Sequence, residues 1–402
     1  MYFSSIPILD LSLARDKSTK PVFLESLRNA LLDVGFLYIK NTGIDDSLSQ
    51  NVIEQGKAFF ELPEEKKLEV QMSNKPSFLG YNKLGNEITA HQTDWREQID
   101  LSTPHPLPKP SSPRYHNLLS PNQWPDPSTL PDFCSIYETY ISLMSKICTE
   151  FTSLIAESLH LPPATFNRFF DKDQQHKLKI VKYPDTSSLP ASTQNQGVGP
   201  HKDSMLTSYL LQVPPHKGLQ AQNLNGEWVD CPPIPSTLVV AIGQGLEALT
   251  HGVCKSTTHR VLSPQAGLGP RLSVPFFQGV SYDATFESVD IPPEILALRD
   301  ERLKERGGKR IDDVEFTFTK GRWGHLGEAT LTNRVKSHPD VGKRWYPDIL
   351  ARIREEQREA TEKAKLGEEH QTGEAERKTE TINNEGNHGM SGVDKGSAIK
   401  AH

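Results

Sequence analysis

Three side chains in the second half of the chain could together hold a metal ion. In His201-Lys202-Asp203 an imidazole and a carboxylate stand two positions apart, and residues i and i+2 of a strand point to the same face of a sheet. His259 lies in a later run of alternating residues, which is typical of a second strand. Two imidazoles and one carboxylate on one side of a metal leave coordination positions open, which is typical of a non-haem Fe(II) centre. A structural zinc site would be closed and would favour thiolates.

A possible carboxylate-binding pair follows the second histidine. Arg271-Leu272-Ser273 begins 12 residues after His259 and is the only Arg-x-Ser sequence in the chain. If this segment is a strand, the guanidinium and the hydroxyl share one face. A guanidinium fork beside a hydroxyl suits the distal carboxylate of a dicarboxylic acid. The order His-x-Asp, distal His and Arg-x-Ser is therefore more specific than any one of its members.

A second His-x-Asp sequence competes with the first. His338-Pro339-Asp340 lies in a segment with helical patterning, where a proline between two helices is ordinary. Neither strand patterning nor an Arg-x-Ser sequence follows it. Metal ligands are usually carried on rigid elements with supporting neighbours. We therefore expect no metal at this second sequence.

The elements that must position these residues are predicted to be helical in the first part of the chain and strand-rich in the second. Apolar residues recur at helical spacing over residues 22–33, from 45 onward, and over 131–159, with a strand at 36–39. Short strand-like runs separated by Gly and Pro then predict a sandwich or barrel; they cover residues 177–183, 206–213, 227–230, 237–242, 256–262 and 271–278. Helical patterning returns at 292–304 and 326–357. The predicted fold class is α+β.

Composition limits the partners that the chain can have. A formal net charge of −6 and the absence of a Lys/Arg cluster argue against nucleic-acid binding. No stretch of about 18 apolar residues is present, so no membrane span is predicted. The N-terminal sequence does not match a signal peptide, and four dispersed cysteines indicate a reducing compartment. We therefore expect a cytoplasmic protein with a small-molecule substrate, and nothing in the sequence implies a protein partner.

Several segments, taken in order, resemble the isopenicillin-N-synthase-like Fe(II)/2-oxoglutarate dioxygenases, in particular fungal members of small-molecule metabolism. The resemblance covers residues 5–280. It rests on Ile6-Pro-Ile-Leu-Asp-Leu11, Gly35-Phe-Leu-Tyr-Ile39, Phe59-Phe-Glu-Leu-Pro-Glu-Glu-Lys66, Lys182-Tyr-Pro184, His201-Lys-Asp203, Gly218-Leu-Gln220, Gly226-Glu-Trp228, Ala241-Ile-Gly243, Lys255-Ser-Thr-Thr-His-Arg-Val261 and Arg271-Leu-Ser-Val-Pro-Phe276.

The resemblance implies a double-stranded β-helix, or jelly roll, with an N-terminal helical half. The helical patterning of residues 286–357 adds C-terminal helices to this prediction. It implies Fe(II) bound by His201, Asp203 and His259, and 2-oxoglutarate and O2 as co-substrates. The distal carboxylate of 2-oxoglutarate would lie on Arg271 and Ser273. The same carboxylate would contact the hydroxyl of a tyrosine that matches Tyr183. The alternative for this tyrosine is an ordinary buried side chain with a satisfied hydroxyl.

Three departures from the family pattern concern residues beside these positions. The usual Asn two residues before the tyrosine is Val181, and the acidic residue that often follows Ile-Gly is Gln244. Lys202 replaces the usual Thr between the first two metal ligands, and we expect its side chain to point outward. None of the three removes a proposed ligand.

The expected substrate pocket lies between the mouth of the jelly roll and the N-terminal half. Tyr81, Arg96 and Phe277 are the principal candidates for its wall; the wider set also contains Phe78, Gln98, Asp100 and Leu206. For the segment from Arg96 to Asp100, an ordinary edge strand with alternating charges is an equal alternative.

The predicted activity is oxidation of a small organic molecule, by hydroxylation, desaturation or ring formation, in secondary metabolite biosynthesis. The alternatives are an Fe(II) oxidase of the same fold that does not use 2-oxoglutarate, and a jelly-roll binding protein that retains metal without turnover. The predicted domains are an N-terminal half at 1–160, the catalytic jelly roll at 175–285, a helical region at 286–357 and a charged tail at 358–402.

Overall fold

The computed structural model describes residues 2–89, 92–170, 176–190, 195–285, 288–305, 326–359 and 362. Two compact units are present, Met1–Tyr346 and Pro347–His402. In the second unit the described part is a helix over residues 347–359, followed by Glu362. Most of the predicted charged tail at 358–402 therefore lies outside the described residues.

The first part of the chain alternates helices with short strands. In chain order the elements are β1 (Ile8–Asp10), α1 (Ser12–Arg15), α2 (Lys20–Asp33), β2 (Phe36–Lys40), α3 (Asp46–Glu61), α4 (Glu64–Leu68), β3 (Gly80–Asn82), β4 (Glu87–Thr89), β5 (Gln92–Asp94), β6 (Glu97–Ser102) and α5 (Phe133–Ser158). The predicted helices at 22–33 and 131–159 are confirmed, and so is the strand at 36–39. The side chain of Asp45 caps α3 by accepting a hydrogen bond from the amide of Ser47.

The second part supplies most of the remaining strands. They are β7 (Lys177–Tyr183), β8 (Gln196–His201), β9 (Thr207–Gln212), β10 (Leu219–Gln222), β11 (Trp228–Asp230), β12 (Thr237–Ile242), α6 (Gln244–Leu249), β13 (His259–Leu262), β14 (Arg271–Gln278), α7 (Pro293–Glu305), α8 (Leu326–Ser337) and α9 (Pro339–Trp345). Each strand-like run predicted from the sequence contains one of these strands. Strands β8 and β10 lie in segments for which no strand was predicted.

Two facing sheets form the jelly roll. The larger has the order β1-β2-β12-β9-β14-β7-β6-β3, and the smaller has the order β11-β10-β13-β8. Strands β1, β2, β3 and β6 come from the first 102 residues, so the N-terminal half and the jelly roll share one continuous sheet. Strand β6 is flanked by β3 and β7, so the alternative of an edge strand for this segment is wrong.

The larger sheet is buried on both faces. Along β2, Leu37 and Ile39 belong to a core shared with the helices, whereas Phe36 and Tyr38 belong to a core shared with the smaller sheet. Successive residues of a strand point to opposite faces. A strand covered on both sides therefore has a continuous apolar sequence, which explains the run Phe36-Leu-Tyr-Ile39. In the described residues no helix is long and apolar enough to cross a lipid bilayer.

Candidate active site

The three predicted metal ligands lie together at one end of the smaller sheet. His201 is the last residue of β8 and faces His259, the first residue of β13, across the antiparallel ladder. One Asp203 oxygen lies 3.7 Å from Nε2 of His201 and 3.8 Å from Nε2 of His259. The candidate ligand atoms all lie within 4.8 Å of one another. Two imidazole nitrogens and one carboxylate at this spacing fit a single Fe(II) ion and leave one side of it open.

Backbone carbonyls orient both imidazoles. Nδ1 of His201 lies 2.8 Å from the carbonyl oxygen of Gly199, and Nδ1 of His259 lies 3.1 Å from that of Thr257. A carbonyl only accepts, so Nδ1 carries the proton in each ring and the Nε2 lone pair is free for a metal. Burial, together with the neighbouring His259, lowers the pKa of His201, which favours the neutral form that binds metals.

The segment that carries Asp203 is held by the first turn of α6. The amide of Gln244 donates to the carbonyl of Asp203 at 2.7 Å, and that of Gly243 donates to the carbonyl of Leu206 at 2.9 Å. A Cβ atom at Gly243 would lie 2.0 Å from the carbonyl oxygen of Met205, so this close approach requires glycine. Because β8 ends at His201, Asp203 is positioned by this packing as well as by its spacing along the chain.

Lys202 departs from the expectation. Only 3% of its side-chain surface is exposed, and its ammonium lies 4.0 Å from a Glu247 carboxylate oxygen. The prediction that this side chain points outward is therefore wrong. A lysine is tolerated between the two ligands because it pairs with an acid that the sequence pattern did not identify.

Arg271 and Ser273 leave buried polar atoms without partners. Each residue is 1% exposed, and both lie on β14 at positions that share a face. Nη2 of Arg271 donates to the Gln212 side-chain oxygen at 3.1 Å. Nε and Nη1 of Arg271 and the hydroxyl of Ser273 have no hydrogen-bond partner among the described residues. An unpaired buried cation is costly, so the donor set is suited to an anion such as a carboxylate.

Tyr183 and Gln212 complete the surroundings of this guanidinium. Tyr183 is opposite Arg271 on the neighbouring strand β7, and its ring centroid lies 5.1 Å from the guanidinium carbon. Gln212 was missed in the sequence analysis. Strand β9 was predicted, but the neighbour of β14 on that side is decided by long-range pairing, which places Gln212 opposite Ser273.

A cavity of about 260 Å³ adjoins the predicted metal ligands. Its lining contains His201 and Asp203 together with the predicted substrate residues Arg96 and Phe277. The other lining residues are Glu87, Thr89, Lys177, Lys179, Val198, Lys202, Ser204, Met205, Pro275, Tyr282, Thr330, Asn333, Arg334 and Ser337. The described wall is therefore unusually rich in charged side chains for a small-molecule site.

Arg96 takes part in a buried ion-pair network on this wall. Its Nη2 atom lies 2.8 Å from an oxygen of Glu87 and 3.3 Å from one of Asp94. Burial by itself would raise the pKa of the Glu87 carboxyl. The surrounding cations, of which Arg96 has the largest effect, instead hold this pKa well below the usual value. The other oxygen of Asp94 accepts from the amide of Gly199 at 3.2 Å. Arg96 is thereby connected to the strand that carries His201.

Tyr81 does not line the cavity. Its hydroxyl donates to Glu97 at 2.8 Å, and the ammonium of Lys67 lies 5.3 Å from its ring centroid. Phe78 stacks on Tyr346 instead of facing the cavity. Among the remaining members of the wider set, Gln98 donates to Asp100 at 2.9 Å, and Leu206 is buried.

His338 lies away from the metal ligands. It precedes α9, is fully buried, and has Nε2 3.9 Å from a Glu87 oxygen. Among the described residues, the one group of side chains with metal-ligand spacing is that of His201, Asp203 and His259. His338 therefore packs beside a charged residue of the cavity wall, and it belongs to no group of described residues with metal-ligand spacing.

Comparisons with known proteins agree with this geometry. Residues 6–127 match the family model described as non-haem dioxygenase in morphine synthesis N-terminal, and residues 174–280 match that of the 2OG-Fe(II) oxygenase superfamily. The chain is 65% identical over 89% of its length to the 2-oxoglutarate-dependent dioxygenase frbJ of Dothideomycetidae sp. (strain 11243), covering 96% of that protein. It is 38% identical over 89% of its length to a 2-oxoglutarate-dependent dioxygenase of Gibberella zeae, covering 95% of it.

A solved structure shows the same fold. It is that of a full-length Neurospora crassa protein in complex with alpha-KG, with a TM-score of 0.65 at 24% identity over 82% of this chain and 96% of that one. The chain belongs to the 2OG-Fe(II) oxygenase superfamily. It is a 2-oxoglutarate-dependent dioxygenase that uses Fe(II) and acts on a small molecule, and the jelly-roll prediction is confirmed.

Proposed function

We propose that His201, Asp203 and His259 hold the Fe(II) of this dioxygenase. Their spacing supports the proposal, because three donor atoms within 4.8 Å of one another can reach one ion. The two Nδ1–carbonyl contacts support it further, since they leave both Nε2 atoms available. Asp203 adds the negative charge that stabilises a divalent cation.

The distal carboxylate of 2-oxoglutarate binds Arg271 and Ser273. The observation that carries this assignment is the set of orphaned donors, two guanidinium nitrogens and one hydroxyl, in a fully buried position. A carboxylate would accept from these donors in a charge-assisted, forked arrangement. Tyr183 lies opposite on β7, where its ring limits the space around the same guanidinium.

The substrate enters the cavity beside the metal ligands and contacts Arg96 and Phe277. When bound, Fe(II) and 2-oxoglutarate supply the oxidising chemistry with O2, and the reaction acts on a C–H bond of the substrate. The protein orients the substrate, holds the imidazoles in one tautomer and keeps water from the reacting centre. Tyr81 does not contact the substrate in this proposal, because its hydroxyl donates a hydrogen bond to Glu97 away from the cavity.

The physiological setting is secondary metabolism in the cytoplasm. Four cysteines are free, and three of them are buried, as expected of a protein in a reducing compartment. The small charged cavity supports a small-molecule substrate, and the net charge of −6 disfavours nucleic acid. Neither a membrane nor a protein partner is required for the proposed reaction.

Anaerobic spectroscopy tests the assignment of the site. Adding Fe(II) and then 2-oxoglutarate to the protein should produce a metal-to-ligand charge-transfer band, and O2 should then yield succinate. His201→Ala and Asp203→Ala should each abolish Fe(II) binding, whereas the matched variant His216→Ala should bind iron as the wild type does. Iron content that survives both ligand substitutions would show that the metal lies elsewhere.

A further inference from the structure

We propose that the substrate carries a carboxylate and that Lys177 and Arg334 bind this group in the cavity beside the metal ligands. This inference rests on the proposed function, because the same cavity must admit the molecule that is oxidised.

The two cations reach the cavity from different parts of the fold. Lys177 and Lys179 are two residues apart on β7, so their side chains share a face, and both line the cavity. Arg334 lies on α8, whose residues Thr330 and Ser337 line the same space. These helix positions are separated by three or four residues and form one helical face. The wall therefore combines a strand face and a helix face.

Three other cations of the wall already have carboxylate partners. Arg96 pairs with Glu87 and Asp94. The ammonium of Lys179 lies 3.5 Å from Glu87 and 3.6 Å from Asp100, its neighbour across the β6–β7 ladder. The third cation is Lys202, whose ammonium lies 4.0 Å from a carboxylate oxygen of Glu247. Each of these charges is compensated within the protein.

Lys177 differs from these three cations. Its cross-strand neighbours are Ser102 and Phe277, which carry no charge. Its ammonium donates to the carbonyl of Leu118 at 2.9 Å, and among the described residues no carboxylate lies within 4.0 Å of it. Burial and the nearby Arg334 lower the pKa of Lys177 to about 7, against an opposing effect of Asp100. An anion placed beside both cations would favour the charged form of Lys177.

Arg334 is only partly compensated. Its Nη1 atom lies 3.4 Å from Asp100, and that carboxylate is shared with Lys179. The described wall contains five cationic side chains, those of Arg96, Lys177, Lys179, Lys202 and Arg334. Apart from the proposed metal ligand Asp203, the carboxylates that line the cavity or pair with these cations are four, those of Glu87, Asp94, Asp100 and Glu247. The uncompensated positive charge is located at Lys177 and Arg334. A single carboxylate on the substrate would balance it.

A cationic substrate group has no comparable partner. Glu87 is the one acidic residue that the described lining contains besides Asp203. One of its oxygens lies 2.8 Å from Arg96 and the other 3.5 Å from Lys179, so both oxygens already face cations. The size of the cavity, about 260 Å³, further limits the substrate, since pockets for drug-sized ligands measure roughly 300–1,000 Å³.

Binding of matched small molecules tests this proposal. The wild-type protein is loaded with Fe(II) and 2-oxoglutarate under nitrogen, and the charge-transfer band is recorded before and after each addition. The probes are the twenty common L-amino acids, their N-acetyl derivatives, which lack the α-ammonium, and their primary amides, which lack the α-carboxylate. The probes that shift the band should carry a carboxylate, and each corresponding amide should bind at least about tenfold more weakly.

Charge-removing variants assign the effect to the two residues. Lys177→Gln and Arg334→Gln should each weaken binding of the best carboxylate probe about tenfold or more, whereas Lys177→Arg should retain most of it. The surface substitutions Lys57→Gln and Arg352→Gln serve as matched controls and should leave binding unchanged. The acid–amide comparison on the wild type needs no variant, so it remains decisive if a charge-removing variant fails to fold.

Three results would overturn the proposal: amides that bind as tightly as the acids, a panel in which no carboxylate probe shifts the band, or charge-removing variants with wild-type affinity for the best acid. Failure of the proposed function would be seen at an earlier step. In that case 2-oxoglutarate itself would produce no charge-transfer band, before any probe is added.

Discussion

Replacing Arg271 should affect two quantities differently: the free energy of unfolding of the unliganded protein and the affinity for 2-oxoglutarate. In Arg271→Gln the guanidinium is lost from a position that is 1% exposed. That guanidinium makes one hydrogen bond, to Gln212, and leaves Nε and Nη1 unsatisfied among the described residues. A buried cation without a paired anion destabilises the fold. We therefore expect the free energy of unfolding of the unliganded protein to stay the same or to rise.

The affinity for 2-oxoglutarate should change in the opposite direction. The substitution removes the forked donors that would hold the distal carboxylate, while the hydroxyl of Ser273 remains. A hydrogen bond to a charged group contributes about 1.5–3 kcal/mol. Because about 1.4 kcal/mol corresponds to a factor of ten, the Kd and KM for 2-oxoglutarate should rise about 10- to 150-fold. The thermal stabilisation that 2-oxoglutarate gives should also fall, because it depends on the logarithm of the ratio of ligand concentration to Kd.

The assay is thermal unfolding with and without 2-oxoglutarate, together with KM from succinate release. Arg260→Gln is the matched control, because Arg260 also donates to a glutamine side chain, at 2.9 Å, but lies over Trp228 on the smaller sheet. That variant should keep the wild-type KM. An Arg271→Gln protein with an unchanged KM, or with undiminished stabilisation by 2-oxoglutarate, would refute the assignment of Arg271 to the distal carboxylate.

Three further predictions concern residues around the site and in the core. Gly243→Ala should displace the segment that carries Asp203, because the new Cβ would lie 2.0 Å from a backbone oxygen; iron titration should show weaker Fe(II) binding, and unchanged affinity would contradict this reasoning. Tyr81→Phe removes the hydroxyl bonded to Glu97 and should lower the free energy of unfolding by about 1 kcal/mol with the KM for 2-oxoglutarate unchanged; an altered KM would indicate a direct role at the site. Burial lowers the pKa of His176 to about 4, so below the unfolded pKa of about 6.5 only the unfolded state gains the proton. Stability should therefore decline by up to about 3 kcal/mol as pH falls from 6.5 to 4, and denaturant titrations should show a smaller decline in His176→Gln; equal declines would exclude this histidine as the cause.

The proposed metal ligands could be predicted from the sequence because their chemistry depends on residue type and on short spacing. A His-x-Asp pair and a later histidine in an alternating run suffice to suggest an Fe(II) site, and Arg271-x-Ser273 has the strand period that places both donors on one face. The spacing argument was incomplete for Asp203. Its position depends on α6 and on the close approach at Gly243, which no local pattern reveals.

The candidate substrate residues were harder to predict, because the wall of a cavity is formed by segments that are far apart in the chain. Arg96 and Phe277 line the cavity, whereas Tyr81 bonds to Glu97; in the sequence all three are equally plausible. Lys177 could not be identified from the sequence, because a lysine at the start of a strand is ordinary. Its significance comes from the uncharged neighbours that strand pairing gives it.

The sequence by itself determined the chemistry of this protein: which atoms can bind iron, which can bind a carboxylate, and which segments can form helices or strands. These properties follow from side-chain types and from local periodicity. The tertiary structure alone decided that strands of the first 102 residues complete the larger sheet, and that β7, β4 and α8 bring their charges to one cavity. Compensation of a buried charge depends on residues far apart in the chain, so it is fixed only when the fold brings them together.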